Sequence, residues 1–340
     1  MTNDNKGAGE NPTPDPPESD QPPADDAVNI VKFTPDLTEI PAQTIGHCGF
    51  VTIAGRPNVG KSSLLNKYVG CKISITSRRP QTTRNRLLGV VTRDMDQVVF
   101  VDTPGIHSQQ KKELNRIINR TAQNSLEGVD VIVMMISATG WKPDDDLVYR
   151  KATETGVPIV LVINKCDLLE QRDALLPFIE EIAKTHIFSE IVPISVKKSY
   201  NLEHLLDILI GKLPIGPHGF PQQQMTDRSQ RFLASELIRE KMFRYLGQEL
   251  PYSSAVEITS FSEQDDGLLK IEATIWVEKQ GQKAIVIGRG GVALKNIGQR
   301  AREDMERLFQ SKVYLGLWVK VRTGWTENAQ VLKSLGYDEW

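Results

Sequence analysis

The sequence predicts a mostly parallel, doubly wound α/β domain followed by a smaller α+β domain. Three observations carry this. Short apolar runs near residues 50–54, 98–101, 130–136, 158–163 and 191–195 alternate with helix-like stretches, the pattern of repeating β-α units after a hairpin-like first pair. A Pro-, Gly- and Gln-rich segment at 214–225 ends that alternation. Beyond it the order becomes α-β-β-α-α-β. At 340 residues the chain exceeds one ordinary domain, and 39 % apolar with 25 % charged residues is a globular balance, so two cores are expected.

Residues 1–45 hold 9 Asp/Glu against 2 Lys/Arg and 8 of the 19 prolines. Such a stretch buries too little apolar area to offset its chain entropy and reads as a disordered acidic tail. It has no basic start followed by an apolar core, and no apolar run in the chain reaches about 18 residues, so neither secretion nor a membrane span is expected. Cysteines at 48, 71 and 166 have no C-x-x-C spacing, which fits a reducing cytosol and argues against a disulfide framework or zinc site. Five scattered histidines form no metal-ligand cluster.

The first strand-like run, Phe50 to Ala54, leads into Gly55-Arg56-Pro57-Asn58-Val59-Gly60-Lys61-Ser62 and then a helix from Ser63 that stops at Gly70. This is G-x-x-x-x-G-K-[ST] in its strand–loop–helix context, a P-loop. Successive N–H groups and the helix N-terminus suit phosphate oxygens. Lys61 is expected at the β and γ phosphates, and the Ser62 hydroxyl on Mg²⁺.

Residues 72–93 follow, with Lys or Arg at 72, 78, 79, 84, 86 and 93 and no acidic residue. This stretch reads as a switch loop in which Thr82 or Thr83 brings a hydroxyl to Mg²⁺. Both stay open, with Thr83 favoured. The run 97–101 ends in Asp102-Thr103-Pro104-Gly105, which places Asp102 at the carboxyl end of a parallel strand. Asp102 is expected to hold Mg²⁺, and the Gly105 N–H to sense the γ phosphate.

After the run 158–163 comes Asn164-Lys165-Cys166-Asp167. A carboxylate at 167 accepts from both guanine N1–H and the exocyclic amine, a donor pair that adenine lacks. Leaving a charged acceptor unpaired costs about 1–3 kcal/mol or more, enough to select the base. Asn164 is expected on the base edge, the Lys165 stem over its face, and Cys166 as a small spacer. Ser195-Val196, ending the next strand, falls beside the base. These segments in this order make GTP, GDP and Mg²⁺ the expected ligands, with Lys61, Thr83 and Gly105 the catalytic set.

The α/β part ends at a helix expected over 201–213, and 214–225 reads as a linker. Beyond it, Phe232, Leu233, Leu237, Ile238, Met242, Phe243 and Leu246 mark one face of a helix. Strands are expected at 255–261 and 268–277, then the run 285–292, a helix from about 293 to 309, and a last strand at 313–321. Gly288-Arg289-Gly290-Gly291 before a helix, in this element order, resembles a type II KH domain over 226–325, leaving 326–340 as a tail. From Lys279 to Arg302 there are six basic residues and no acidic one, although 226–340 as a whole carries 17 Lys/Arg against 16 Asp/Glu. That local stripe suits single-stranded RNA. Lys283, Ile287, Gly288, Arg289, Gly290, Gly291, Lys295 and Arg302 are its candidate contacts.

The P-loop wording, Pro80-Gln81-Thr82-Thr83-Arg84, the Asp102-to-Ile106 turn and the C-terminal half together resemble the Era family of bacterial ribosome-assembly GTPases, over about 46–338. The resemblance implies a GTPase domain at 46–213 with nucleotide contacts at Gly55 through Ser63, Asp102 through Ile106, Asn164 through Asp167, Ser195 and Val196. It implies a cytoplasmic monomer that binds RNA rather than DNA: the 3′ end of small-subunit rRNA, in 30S subunit assembly, with peripheral inner-membrane contact as a further implication. GTP would favour RNA engagement, and hydrolysis would reset it. Val196 stands where the family usually has Ala, leaving the backbone contact to the base intact. Arg289 and Gly290 stand where it more often carries Lys. Ile106 stands where many small GTPases have the water-orienting glutamine, so intrinsic hydrolysis is expected to be slow. Asn58 has two readings, a K⁺ ligand as in similar GTPases or a bond to the switch backbone. Two other functions remain beside this one: a non-catalytic GTP-dependent RNA adaptor and a tRNA-modifying GTPase.

Overall fold

The computed structural model describes residues 44–77, 83–102, 104, 121, 124–169, 175–246 and 250–327. Its larger sheet comprises β1 (Ile45–Ala54), β2 (Leu87–Arg93), β3 (Asp96–Asp102), β4 (Val131–Ser137), β5 (Ile159–Asn164), β6 (Glu190–Pro193) and β7 (Ile215–Pro217). The order is β2-β3-β1-β4-β5-β6, with β7 paired to β1. β1, β3, β4, β5 and β6 are mutually parallel, while β2 and β7 are antiparallel to their neighbours. A parallel sheet covered on both faces needs continuous apolar strands. β4 and β5 meet that need, being buried at every residue.

Four helices flank this sheet among the described residues: α1 (Lys61–Val69), α2 (Pro143–Thr153), α3 (Leu175–Thr185) and α4 (Leu202–Ile210). α1 stops where expected, at a left-handed Gly70 whose N–H donates to Asn66 O. α2 opens with Pro143 and three acidic residues in its first turn, where the helix dipole favours negative charge. The switch-loop reading of 72–93 is too long, because residues from Leu87 onward form β2, with Leu87, Gly89 and Val90 buried. The linker reading also needs correction. Ile215–Pro217 add an antiparallel strand to the N-terminal end of β1, which offers unpaired backbone groups there. The Gln97 side chain then donates to Phe220 O and accepts from Phe220 N, both at 2.9 Å.

The second unit follows the expected order: α5 (Gln230–Tyr245), β8 (Ser254–Glu263), β9 (Leu269–Val277), α6 (Gln280–Ile287), α7 (Val292–Phe309) and β10 (Val313–Val321). The sheet runs β10-β9-β8, with β10 parallel and β8 antiparallel to β9. Ser229 caps α5 by accepting from Phe232 N. The expected apolar face of α5 is buried at Leu233, Leu237, Ile238, Met242 and Phe243, but so are Arg239, Glu240 and Lys241. This helix is therefore covered on two sides. No helix among the described residues is long and apolar enough to cross a membrane.

Candidate nucleotide site, RNA surface and the contact between them

The loop between β1 and α1 curls because Gly60 adopts a φ of 113°, which an L side chain rarely takes. A Cβ there would lie 2.3 Å from Asn164 Nδ2, so only glycine lets the β5 end approach the loop. Lys61 folds back, its Nζ donating to Gly55 O at 2.8 Å and Arg56 O at 3.1 Å. Burial pushes its amine down to about 8, outweighing the nearby Asp102 carboxylate. Phosphate at this position holds the amine protonated. Below pH 8 the group is charged with or without nucleotide, and above it binding must take up a proton. Nucleotide affinity should therefore be flat up to about pH 8 and then fall toward about tenfold per pH unit, as titration calorimetry across pH 7 to 10 would show.

Arg56, expected among the nucleotide contacts, directs its side chain elsewhere. Its Nε donates to Asp145 Oδ2 on α2 at 3.1 Å, leaving only its backbone for phosphate. Burial raises the Asp145 carboxyl, with Arg56 opposing.

The three candidate Mg²⁺ ligands converge. Ser62 Oγ donates to Asp102 Oδ2 at 3.0 Å and lies 3.1 Å from Thr83 Oγ1. Asp102 is fully buried at the end of β3. Two hydroxyls and a carboxylate, with Ser62 within hydrogen-bond reach of both Thr83 and Asp102, form the hard-oxygen donor set that Mg²⁺ takes, so the residues fit the ion. Thr82, Thr103, Gly105 and Ile106 lie outside the described residues. A residue outside the motifs joins this set: Ser74 Oγ donates to the same Asp102 Oδ2 at 2.6 Å. Its signal was the alternation in Lys72-Ile73-Ser74-Ile75-Thr76, whose two isoleucines are buried.

At the base end, Lys165 sits in the left-handed region at φ 68° and reaches over the P-loop, its Nζ donating to Asn58 O at 2.8 Å. This carries its stem across the expected base position. Asp167 is exposed, and its Oδ1 accepts from Ser195 Oγ at 2.6 Å. Asn164 has partners on both ends of its amide. It is buried, with Nδ2 donating to Val59 O at 2.8 Å and Oδ1 accepting from Val196 N at 3.1 Å. It ties the phosphate loop to the base loop. The Val196 N–H is thereby committed to Asn164, and Cys166 is a buried spacer whose Sγ donates to Ile163 O.

In the second unit, α6 meets α7 through Gly288, Arg289, Gly290 and Gly291. Gly288 has φ 75°, and a Cβ on it would sit 2.7 Å from Ala293 Cβ. Ile287 is half-buried at the end of α6, and Lys283, Arg289 and Lys295 form no ion pair among the described residues. Arg302 pairs within α7, its Nη1 donating to Glu306 Oε1 at 2.7 Å in a partly exposed i,i+4 contact.

The segment that holds Asp102 also reaches the second unit. Lys72 Nζ lies 2.6 Å from Glu240 Oε2 and 2.8 Å from Asp304 Oδ2. Lys241 bonds Asp304 and Arg244 bonds Glu240 Oε1 at 2.7 Å. Burial alone would raise the Asp304 carboxyl, but bonds from Lys241 and Lys72 hold it below the usual carboxylate range. Arg84, next to Thr83, donates from Nη1 to Ser254 O at 3.1 Å and is buried.

Residues 50–165 match the family model for the 50S ribosome-binding GTPase, and 249–326 match that for the KH domain. The chain is 52 % identical over 296 residues to a GTPase Era of Stenotrophomonas maltophilia, covering 87 % of this chain and 99 % of the relative. It is 52 % identical over 297 residues to that of Xylella fastidiosa, with the same coverages. Two solved structures superpose with TM-scores of 0.83 at 41 % identity, each covering 86 % of this chain and 99 % of the other. One is a variant of Aquifex aeolicus Era bound to GDP·AlF4⁻, the other an Era in complex with MgGDPNP and nucleotides 1506–1542 of 16S ribosomal RNA.

Proposed function

This chain belongs to the Era family of GTPases, and from that premise we propose that its GTP cycle gates RNA binding by the KH domain at the 3′ end of small-subunit rRNA during 30S subunit assembly. The relative solved with MgGDPNP and nucleotides 1506–1542 of 16S rRNA supports this target. The observation that carries the gating is the five-residue segment 72–76. Ser74 holds Asp102 in the Mg²⁺ donor set, while Lys72 and Thr76 reach Glu240 on the KH domain.

Mg²⁺, when bound, supplies charge neutralisation at the β and γ phosphates. The chain's own residues do the rest. Lys61 exchanges its P-loop carbonyl partners for phosphate oxygens, and the loop N–H groups orient the triphosphate. Ser62, Thr83 and Asp102 would hold the ion through their oxygens, with Ser62 and Ser74, which both donate to Asp102 Oδ2, readjusting around it. A readjustment of Ser74 would move the segment whose neighbouring side chains grip Glu240 and Asp304. Asp167, steadied by Ser195, accepts from guanine. Lys283, Arg289 and Lys295 neutralise the RNA backbone beside the glycine turn.

The test is GTP turnover with and without an oligonucleotide copying the 3′ end of small-subunit rRNA, in K⁺ and in Na⁺. RNA should stimulate turnover, and Gly288→Asp should abolish the stimulation while leaving the slow basal rate, because φ 75° and the Ala293 contact exclude a side chain there. Higher rates in K⁺ would support Asn58 as a K⁺ ligand. Equal turnover with and without RNA would overturn the coupling.

A further inference from the structure

The KH sheet has an outer face, turned away from α5, α6 and α7. On β10, Leu317 packs toward Gly298 of α7 and Val319 is buried, so Tyr314, Gly316, Trp318 and Lys320 point away from the helices. On β9, Lys270, Glu272, Thr274 and Trp276 share that outer face. Trp318 lies over Gly316, where a Cβ would come within 2.9 Å of the ring's Cη2 and Cζ3. The ring is thus laid along the strand yet stays 46 % exposed, and Tyr314 is 53 % exposed. Trp276 Nε1 donates to Glu257 Oε2 at 2.7 Å, and the cationic ends of Lys320 and Arg322 stand 5.8 and 5.9 Å from the Trp276 ring centroid. Neither cation forms an ion pair among the described residues. The carboxylates on the face are occupied, Glu257 by Trp276 and Glu272 by Lys270 at 4.0 Å.

Exposed rings on a strand surface, flanked by cations without anionic partners, match what single-stranded nucleic acid requires: π-faces for bases and positive charge for phosphates. We propose that this outer face is a second single-stranded RNA contact, with bases stacked on Trp318 and Tyr314 and phosphates on Lys320 and Arg322. The proposal rests on the reading that this domain binds RNA. β10 is the sheet edge and packs against α6 and α7 on its inner side, so RNA leaving the Gly288–Gly291 turn reaches the outer face by crossing that edge.

The experiment is cross-linking of the full chain to a 4-thiouridine-substituted single-stranded RNA, with adducts mapped by peptide mass spectrometry and affinity measured in parallel. Adducts at Tyr314 or Trp318, retained in Gly288→Asp, are expected. Trp318→Ala should weaken binding about tenfold, and Lys320→Ala with Arg322→Ala should flatten its salt dependence. If Trp318→Ala melts early, the double variant, exposed on the surface, decides alone. Adducts confined to residues 283–302, with affinity unchanged in these variants, would overturn the proposal and leave the glycine-turn reading standing. No RNA binding at all would overturn both. Unchanged affinity for free RNA with lost 30S binding would assign the face to a ribosomal protein instead and overturn the RNA assignment.

Discussion

Asp167→Asn should lower GTP affinity by about a hundredfold or more and raise affinity for xanthosine triphosphate. The carboxylate accepts from two guanine donors, and each hydrogen bond to a charged acceptor contributes about 1.5–3 kcal/mol. An amide offers one acceptor and turns an N–H₂ toward the guanine amine, donor against donor. Xanthine carries a carbonyl where guanine has that amine, so the same N–H₂ then finds an acceptor. Ser195 Oγ steadies Oδ1 at 2.6 Å, a bond the Asn oxygen keeps, so the variant should fold and retain its loop. Competition of fluorescent GDP with GTP and XTP measures this. An unchanged preference for GTP would mean that base selection rests elsewhere.

Glu240→Ala should destabilise the chain and disconnect its two domains. Glu240 is fully buried and receives Lys72 at 2.6 Å and Arg244 at 2.7 Å. Without it, Lys72 and Lys241 are left to share Asp304. Removing one partner of a buried ion pair costs about 3–5 kcal/mol, and Lys72, at 30 % exposure, places this case near the lower end. Melting should drop by several degrees, and limited proteolysis should separate the domains more readily. RNA affinity should also lose its dependence on the bound nucleotide. Glu240→Gln, which keeps polar contacts to Thr76 and Arg244, should fall between the two.

What was legible in the chain was what local spacing encodes. The P-loop, Asp102 after a strand, Asn164 to Asp167, and the glycine turn at 288–291 each combine a fixed residue pattern with a flanking element, so their positions and the order of both domains could be read directly. What was not legible depends on partners distant in sequence. Arg56 reads as a phosphate contact until α2 brings Asp145 to 3.1 Å. That Asn164 also ties the P-loop to the Val196 turn through both ends of its amide could not be read from spacing. Arg239, Glu240 and Lys241 look like the solvated side of an amphipathic helix, but Glu240 meets Lys72 and Thr76, more than 160 positions earlier, and Lys241 meets Asp304, 63 positions later. β7 was hidden because Pro and Gly in 215–217 mark a linker, and pairing with the free end of β1 overrides that propensity.

The central claim is that the nucleotide state, through Ser74 and Lys72, sets how the KH domain holds RNA. The most direct test is the affinity of the full chain for the 3′-end oligonucleotide with GDPNP and with GDP, both in Mg²⁺. Tighter binding with GDPNP, and a difference that shrinks in Lys72→Ala, is the predicted result; equal affinity in the two nucleotide states would contradict it.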